Sequence, residues 1–392
     1  MYKYGNLIGT WQRKSLGHYG AIFQVCYEDW SLRIVEWHPP APKSVESNLK
    51  FSDFMRISLD DNNLVKEELL DTIAFKDQER DKVKDLIMVL PGNDRNDTMS
   101  IYVQLNDDST DERYNDLLLN FINFQLDINL TNLHDLYDLG NAVQILYQYF
   151  EKFSARINCR NVYAFQRLAP DVLQNGAKLD EQPLPSGLFK GEYGGHGNEI
   201  IAVSYVESDG HSKLQGLKIT GDPNVPMDKV TFSADLNKSI IMSAEAQRAS
   251  SCDDLISGIE ELSYQILNKQ ETPSSQPFII PNDAESRSSL ANYRNCTHRF
   301  IGKKILKYFC NIFNIFFFSG EAQIALPDYQ EPSMIPAHIV IFDNDTLGVL
   351  FLELRSMSLY SRVKENLTAC HFEDVRDFHN ETQQSNIVPP EL

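Results

Sequence analysis

The sequence lacks the basic surplus that nucleic-acid and membrane binding require. Its 36 Lys and Arg residues stand against 55 Asp and Glu residues, which gives a formal net charge of −19. Phosphate binding needs clustered Lys and Arg, and anionic lipid attracts the same residues. We therefore expect neither a nucleic acid nor a membrane as a partner.

Cysteine is also scarce and unpatterned. The six cysteines are scattered, with no CxxC motif and no paired spacing, so disulfide frameworks and zinc fingers are not indicated. The first residues, MYKYGNLIGTW, contain no apolar run of signal-peptide length. Free thiols and a cytoplasmic or nuclear location are the expectation, with no metal and no cofactor.

Catalytic signatures are missing as well. The sequence has no Walker loop, no HExxH and no GxSxG. In the run GEYGGHG the strand follows the glycines rather than preceding them, which is the reverse of a dinucleotide fingerprint. His196 with Glu199 is the one candidate for general-base catalysis. The prediction is a non-catalytic protein, with an enzyme that uses these two residues as a weaker alternative.

Glycine, by contrast, is concentrated in one stretch, Gly187–Pro226. Two runs rich in β-branched residues, Ile200–Val206 and Leu214–Thr220, lie between the glycines and predict strands. Glycine at this density serves tight turns or lets other groups approach the backbone. The stretch therefore predicts a β-hairpin opened by GEYGGHG and closed by the turn GDPN, as in a binding surface or a barrel corner.

The remaining chain predicts an α+β fold: an antiparallel β-barrel-like substrate-binding domain with several packed helices. Residues 1–170 would form the N-terminal half, with a helical insertion at about 111–156, and residues 187–363 the C-terminal half. The order of glycine, aromatic residue, Tyr-Gly and strand near the N-terminus echoes the order after Gly187, which suggests an internal duplication.

Two segments of the C-terminal half stand apart from their surroundings. Residues 273–335 are predicted to be a variable loop that contains an anomalous insert, Lys303–Ser319 (KKILKYFCNIFNIFFFS). This insert is too short and too polar for a membrane span and has no polar face for a helix, so we consider it a candidate retained intron. The polar tail at 367–392 is predicted to be disordered.

Several blocks of the sequence resemble a known family. The blocks are GLFKGEYGGHGNEI, KITGDPNVP and LFLELRSMSLYSRV, preceded by IGTW…GHYG and FMRI. In this order they resemble the substrate-binding region of the F-box only protein 31 family. The resemblance implies a substrate receptor of an SCF-type ubiquitin ligase, which captures the C-terminal tails of target proteins, including C-terminally amidated ones.

The resemblance also implies a site. The pocket aspartate of the family falls on Asp222, and the same two blocks contribute the other predicted substrate-binding residues: Lys218, Thr220, Asn224, Tyr193 and His196. A carboxylate accepts a hydrogen bond from a terminal carboxamide and repels a terminal carboxylate. From spacing alone, however, Asp-Pro-Asn is equally ordinary turn chemistry.

The sequence departs from the family in two respects. No F-box is visible before the first matched strand, so a Skp-type adaptor and a cullin are expected as partners only if an F-box is supplied upstream. The family binds zinc after the strand FRI, but no Cys or His occurs between His38 and His134. The alternative function is a β-barrel that binds a small molecule or peptide without a link to a ligase.

Overall fold

The computed structural model describes residues 2–41, 47–75, 80, 83–89, 98–105, 114–132, 142–173, 182–193, 196–208, 211–240, 242, 244–257, 278–281, 283–286 and 316–371. The chain divides into two compact units. Unit 1 comprises Met1–Ala41, Ser47–Leu173 and Val363–Leu392, and unit 2 comprises Pro42–Glu46 and Gln174–Arg362.

Unit 1 is an eight-stranded antiparallel sheet in the order β5-β4-β3-β2-β1-β8-β7-β6. A 3₁₀ helix, Tyr2–Leu7, precedes it. The strands are β1 (Gly9–Arg13), β2 (Ala21–Glu28), β3 (Ser31–His38), β4 (Lys50–Leu59), β5 (Val65–Leu69), β6 (Val83–Val89), β7 (Thr98–Leu105) and β8 (Val162–Arg167). Alternate residues of these strands, such as Trp11, Phe23 and Phe165, point into one apolar core.

Two helices, α1 (Tyr114–Leu126) and α2 (Ala142–Asn158), lie between β7 and β8 in the chain. The apolar face of α1 is buried against Phe153 of α2 in a core of its own. Phe150, which the periodicity placed on the inner face of α2, is instead 44% exposed. Another short helix, α3 (Pro170–Leu173), follows β8.

Unit 2 is a closed antiparallel barrel. Its strands are β9 (Gly187–Glu192), β10 (Asn198–Ser208), β11 (His211–Lys218), β12 (Val230–Ser239), β13 (Glu285–Ser286), β14 (Phe316–Leu326), β15 (Gln330–Ile341), β16 (Thr346–Phe351) and β17 (Ser356–Arg362). The barrel closes because β17 pairs with β9, while β13 pairs in parallel with the start of β17. The α+β barrel-like class predicted from the sequence is confirmed.

Large side chains fill the lumen of this barrel, among them Phe189, Phe232 and Tyr360. Two of the concentrated glycines make room for them. A Cβ at Gly191 would lie 2.2 Å from the Tyr360 ring, and a Cβ at Gly216 would lie 2.5 Å from the Phe232 ring. The close approach predicted for these glycines is therefore made by aromatic side chains.

The hairpins that open the two units share one register. Gly9 pairs with Val25 in unit 1, and Gly187 pairs with Val203 in unit 2. Both glycines have positive φ values, +132° and +149°. The next hairpin in each unit also matches, with Tyr27 opposite Leu32 and Tyr205 opposite Leu214. The internal echo in the sequence therefore reflects two strand meanders of the same design.

Residues 60–110 contain strands although their sequence shows little apolar alternation. Here β5, β6 and β7 form, and the exposed positions of β5 and β6 explain the weak apolar pattern. In the predicted variable loop at 273–335, most residues up to 315 lie outside the described residues. The last residues of the anomalous insert, Phe316–Ser319, begin β14, and Phe317 and Phe318 are buried.

The end of the described chain packs on the sheet of unit 1. Within the predicted disordered tail, residues 372–392 lie outside the described residues, whereas Leu367 and Ala369 are 3% and 6% exposed. The backbone N–H of Tyr27 donates to Cys370 O at 2.6 Å. We call residues 363–371 the C-terminal strap of unit 1.

Gln24 connects this strap to the sheet. Its Nε2 donates to the carbonyls of Asn366 and Ala369 at 3.1 and 3.3 Å, and its Oε1 accepts from Trp37 Nε1 at 2.9 Å. Gln24 and Trp37 are 0% and 1% exposed, so water cannot replace these partners. One buried amide thus satisfies polar groups on two segments that are distant in sequence.

We predict that Gln24→Leu destabilises the protein by about 2–4 kcal/mol, because it leaves buried polar groups unsatisfied at roughly 1–3 kcal/mol each. Urea unfolding measures the change. The control is Gln166→Leu on an exposed position of β8, for which about 0.5 kcal/mol or less is expected. Equal effects of the two substitutions would contradict the role of Gln24.

Candidate functional site

The candidate site lies at one end of the unit 2 barrel, where β9 and β11 end and β10 and β12 begin. Antiparallel pairing brings these four strand ends together, since Glu192 is opposite Asn198 and Ile201 is opposite Lys218. The loop that carries Asp222 joins β11 to β12. The two glycine-rich blocks of the sequence therefore meet at this end of the barrel.

Lys218 is the centre of the site. Its side chain is 1% exposed, and its Nζ lies 2.6 Å from Glu199 Oε2 and 2.5 Å from Asp222 Oδ2. The ammonium also lies 4.2 Å from the centroid of the Tyr193 ring, a cation–π distance. A buried ammonium is tolerable only when it is paired, and here two carboxylates and an aromatic face surround it.

Asp222 shapes the turn that closes the hairpin. Its Oδ1 accepts the backbone N–H groups of Asn224 and Val225, both at 2.6 Å. Its own N–H donates to Val225 O at 3.0 Å. The interpretation as turn chemistry is therefore correct, and the same carboxylate also holds Lys218. A carboxylate offers about four lone-pair positions, and those of Asp222 are engaged by two backbone N–H groups, the Lys218 ammonium and the neighbouring Glu199 carboxyl.

Tyr193 and Thr220, two of the predicted site residues, form contacts that hold the surrounding strands in place. Tyr193 Oη lies 2.7 Å from Thr231 Oγ1, and its ring meets Tyr360 edge-to-face at 5.7 Å. Thr220 Oγ1 accepts the backbone N–H of Ile200 at 2.8 Å. Both contacts fix strand ends around the Lys218 ammonium.

The other two predicted residues lie at the edge of the site. Asn224 donates through Nδ2 to Ala325 O at 2.8 Å, which ties the turn to β14. His196 is half-buried and lies near enough to Asp222 to influence its charge. Residues 194 and 195 of the glycine-rich loop lie outside the described residues. The structure thus brings Lys218, Asp222 and Tyr193 into direct contact.

Sequence reasoning missed Glu199 as a partner of Lys218. It had weighed Glu199 only as a helper of His196 in catalysis. The signal was available, because Glu199 shares the alternation of Ile201 and Val203, which point into the lumen. A carboxylate at a lumen position requires a buried cation.

The charges of the three groups are strongly coupled. Burial raises the pKa of Glu199 well above its ordinary value, and the nearby Asp222 carboxylate adds to the rise, although Lys218 opposes it. Burial would also raise the pKa of Asp222, but the Lys218 ammonium overcomes this and holds that pKa below its usual range. Burial alone would lower the pKa of Lys218, yet the two carboxylates raise it. Lys218 therefore favours the ionised form of Asp222, whereas burial and Asp222 favour the neutral form of Glu199.

Chemically, this cluster is suited to recognition. It presents an ammonium with three donor hydrogens beside a carboxylate acceptor in a setting of low exposure. Within the described ranges, no group of three His, Cys, Asp or Glu side chains is placed to hold a metal ion. The described cysteines, Cys26, Cys159, Cys252 and Cys370, form no disulfide.

Unit 1 buries a second charged cluster. Arg156 of α2 forms ion pairs with both Glu36 of β3 and Asp71, the latter at 3.3 Å. Burial lowers the pKa of His38 to about 3 although the Glu36 carboxylate opposes this shift, so the histidine is neutral. Every member is paired within the unit, so the cluster serves the fold rather than a ligand.

No helix that the structure describes is both long and apolar enough to cross a lipid bilayer.

Comparison with known proteins gives consistent matches. The family model described as Cyclin D1 binding domain matches residues 165–366, just over half of the 392 residues. F-box only protein 31 of Mus musculus is 30% identical over 218 residues, which cover 45% of this chain and 38% of that protein. The Homo sapiens relative of the same name is 27% identical over 238 residues, covering 45% of this chain and 39% of that protein.

A longer match extends along nearly the whole chain. F-box only protein 31 of Xenopus tropicalis is 22% identical over 437 aligned residues, which cover 98% of this chain and 70% of that protein. The mouse and human matches, in contrast, span well under half the length of those relatives. The resemblance stated from the sequence blocks is confirmed.

The raised pKa of Glu199 predicts a pH-dependent effect of Glu199→Gln. The folded state favours the neutral acid, so wild-type stability is complete below the ordinary pKa of 4.5 and falls as the pH rises toward the folded value. Gln does not titrate and imitates the neutral acid. Above pH 4.5 the stability of Glu199→Gln should therefore increase relative to that of wild type, by up to about 1.4 kcal/mol per pH unit.

Urea unfolding of both proteins across the pH range measures this gain. The control is Glu207→Gln, an exposed glutamate of the same strand, which should show no such trend. A stability difference between wild type and Glu199→Gln that stays constant with pH would show that Glu199 is ionised in the folded protein.

Proposed function

Because the chain belongs to the family described as the Cyclin D1 binding domain, we propose that it is the non-catalytic substrate-recognition part of an SCF-type ubiquitin ligase. The F-box only protein 31 relatives support this role at the family level. The protein would hold target proteins by their C-terminal tails while the ligase attaches ubiquitin. A Skp-type adaptor and a cullin are the implied partners, reached through an F-box.

The observation that carries this proposal is the pairing of Lys218 with Asp222 at one end of the barrel. A terminal carboxamide has a carbonyl oxygen that accepts one hydrogen bond and an NH₂ group that donates two. The third N–H of Lys218 suits that oxygen, and Asp222 would accept from the NH₂ group in place of the Glu199 carboxyl. Donor and acceptor thus stand side by side, in the arrangement that an amide requires.

A terminal carboxylate would fit this pair less well. It has no hydrogen to donate to Asp222, and its charge would be repelled by the Asp222 carboxylate. Lys218 compensates in part, but its charge is already balanced by Asp222. We therefore propose amidated C-termini as the preferred tails.

Access to the pair requires a local rearrangement. Lys218 is 0% exposed and Asp222 is 4% exposed. Tyr193 lies against Lys218 and His196 lies near Asp222, so the proposed route to the pair is displacement of these two side chains. Glycine at 197, with a φ of +74°, lets the chain turn there.

The alternative of a small molecule held inside the barrel receives less support. The lumen is closed by the pairing of β17 with β9, and it is occupied by side chains such as Phe189, Phe232 and Phe318. A ligand in the lumen would have to displace well-packed aromatic rings. A ligand at the barrel end needs only movement of Tyr193 and His196.

We predict that Asp222→Asn weakens binding of an amidated peptide by about 1.5–3 kcal/mol, the range for charge-assisted hydrogen bonds, or roughly 10- to 150-fold. The measurement is fluorescence anisotropy with one labelled peptide in two forms, ending in –CONH₂ or –COOH. Wild type should prefer the amide.

The matched control is Asp228→Asn, an exposed aspartate of the same loop with a φ of +64°, which asparagine also tolerates. It should leave the affinity unchanged. Thermal unfolding of each variant separates lost binding from lost folding. If wild type binds both peptide forms equally, the role of the Lys218–Asp222 pair in amide recognition is refuted whatever the variants do.

A further inference from the structure

An exposed tryptophan lies at the tip of the β2–β3 hairpin in unit 1, far along the sequence from the tail-binding site. Glu28 pairs with Ser31, so the turn consists of two residues, Asp29 and Trp30. Their φ values are +32° and +63°, as in a type I′ turn. Trp30 is 80% exposed.

The position of Trp30 in this turn lowers the stability of the protein in two ways. The second position of such a turn favours glycine, because a side chain with a Cβ is strained at positive φ. An exposed indole also leaves a large apolar surface in water. Packing in unit 1 does not offset these two costs, because Trp30 belongs to neither apolar core that the structure describes there. Strain of this kind is often retained for function.

Trp30 has exposed apolar neighbours. Leu32 pairs with Ile57, and β4 continues two residues further to Leu59, so Leu59 lies at the same end of the sheet as the β2–β3 turn. Leu59 pairs in turn with Val65 of β5. The exposed fractions are 40% for Leu59, 44% for Val65 and 65% for Leu64. Single exposed apolar residues are ordinary, but contiguous ones mark interaction sites. We call these four residues the hairpin-tip patch.

Three aspartates lie next to the patch in sequence, whereas Lys66, which follows Val65, lies 3.8 Å from the balancing carboxylate of Glu68. Asp29 lies in the β2–β3 turn, and Asp60 and Asp61 lie in the β4–β5 turn. None of the three forms an ion pair among the residues that the structure describes. Glu28, in contrast, is already neutralised by Arg33 and Arg56. The rim of the patch is therefore acidic.

We propose that the hairpin-tip patch docks a basic amphipathic segment of a partner protein, with Trp30 as the anchor. Lys or Arg of the partner would meet the acidic rim and the indole face, the best cation–π acceptor among side chains. Its aliphatic residues would cover Leu59, Leu64 and Val65. Tryptophan is among the commonest hot-spot residues of interfaces. A second copy of the chain is disfavoured, because both copies carry a net charge of −19.

The test uses the full chain and a synthetic peptide of alternating Leu and Lys residues as the probe. The sequence has three tryptophans, and Trp11 and Trp37 are 0% and 1% exposed. Quenching by acrylamide therefore reports on Trp30. The Leu–Lys peptide should shield it, and a peptide with Glu in place of Lys should not.

The deciding variant is Trp30→Gly, which suits the turn and preserves the net charge. It should lower the affinity for the labelled Leu–Lys peptide at least tenfold and leave the melting temperature unchanged or higher. The control, Val206→Ser, alters a 40% exposed apolar residue of unit 2 and should leave the affinity unchanged. Asp29→Asn should weaken binding mainly at low salt.

Three results would overturn the proposal. The first is equal affinity of wild type and Trp30→Gly for the peptide. The second is a clear drop in melting temperature for Trp30→Gly, which would make Trp30 a structural residue. The third is a concentration-dependent dimer of wild type that Trp30→Gly abolishes in sedimentation experiments, which would identify a second copy of the chain as the occupant.

Discussion

The buried ammonium of Lys218 is the constraint on which the end of the unit 2 barrel depends. A charge at 0% exposure must be balanced within a few ångströms, and this requirement fixes Glu199 and Asp222 around it. Asp222 can supply its carboxylate only if the loop after β11 turns sharply, and that carboxylate itself caps the turn. Tyr193 then closes the remaining side of the ammonium. The proposed recognition chemistry and the local folding therefore involve the same atoms.

Both units use a buried cation in a similar way. The strand of unit 1 that corresponds in register to β11 is β3, and it carries Glu36, which holds Arg156. In unit 1 the bidentate guanidinium joins a helix to the sheet, and its partners leave little for a ligand. In unit 2 the smaller ammonium leaves a donor beside the Asp222 carboxylate. The difference between the two cations suits one cluster to structure and the other to binding.

Much of the fold was predictable because its signals are local. The runs of β-branched and alternating residues predicted β10, β11 and β12, and helical periodicity predicted α1. The strands β5 and β6 were missed because edge strands with exposed faces carry no clear alternation. Asp222 and Lys218 were predicted through the family blocks rather than through chemistry. The link from Glu199 to Lys218, and the exposure of Trp30, depend on strand register and backbone angles, which residue spacing does not specify.

The central claim is that the Lys218–Asp222 pair is a receptor for the C-terminal carboxamide of a target tail. The most direct measurement is a crystal structure of the chain with an amide-terminated peptide. The account predicts the terminal carboxamide within hydrogen-bond distance of Asp222 Oδ2 and Lys218 Nζ, with Tyr193 and His196 displaced. A peptide bound elsewhere, with the ion pair still covered as in the free protein, would contradict it.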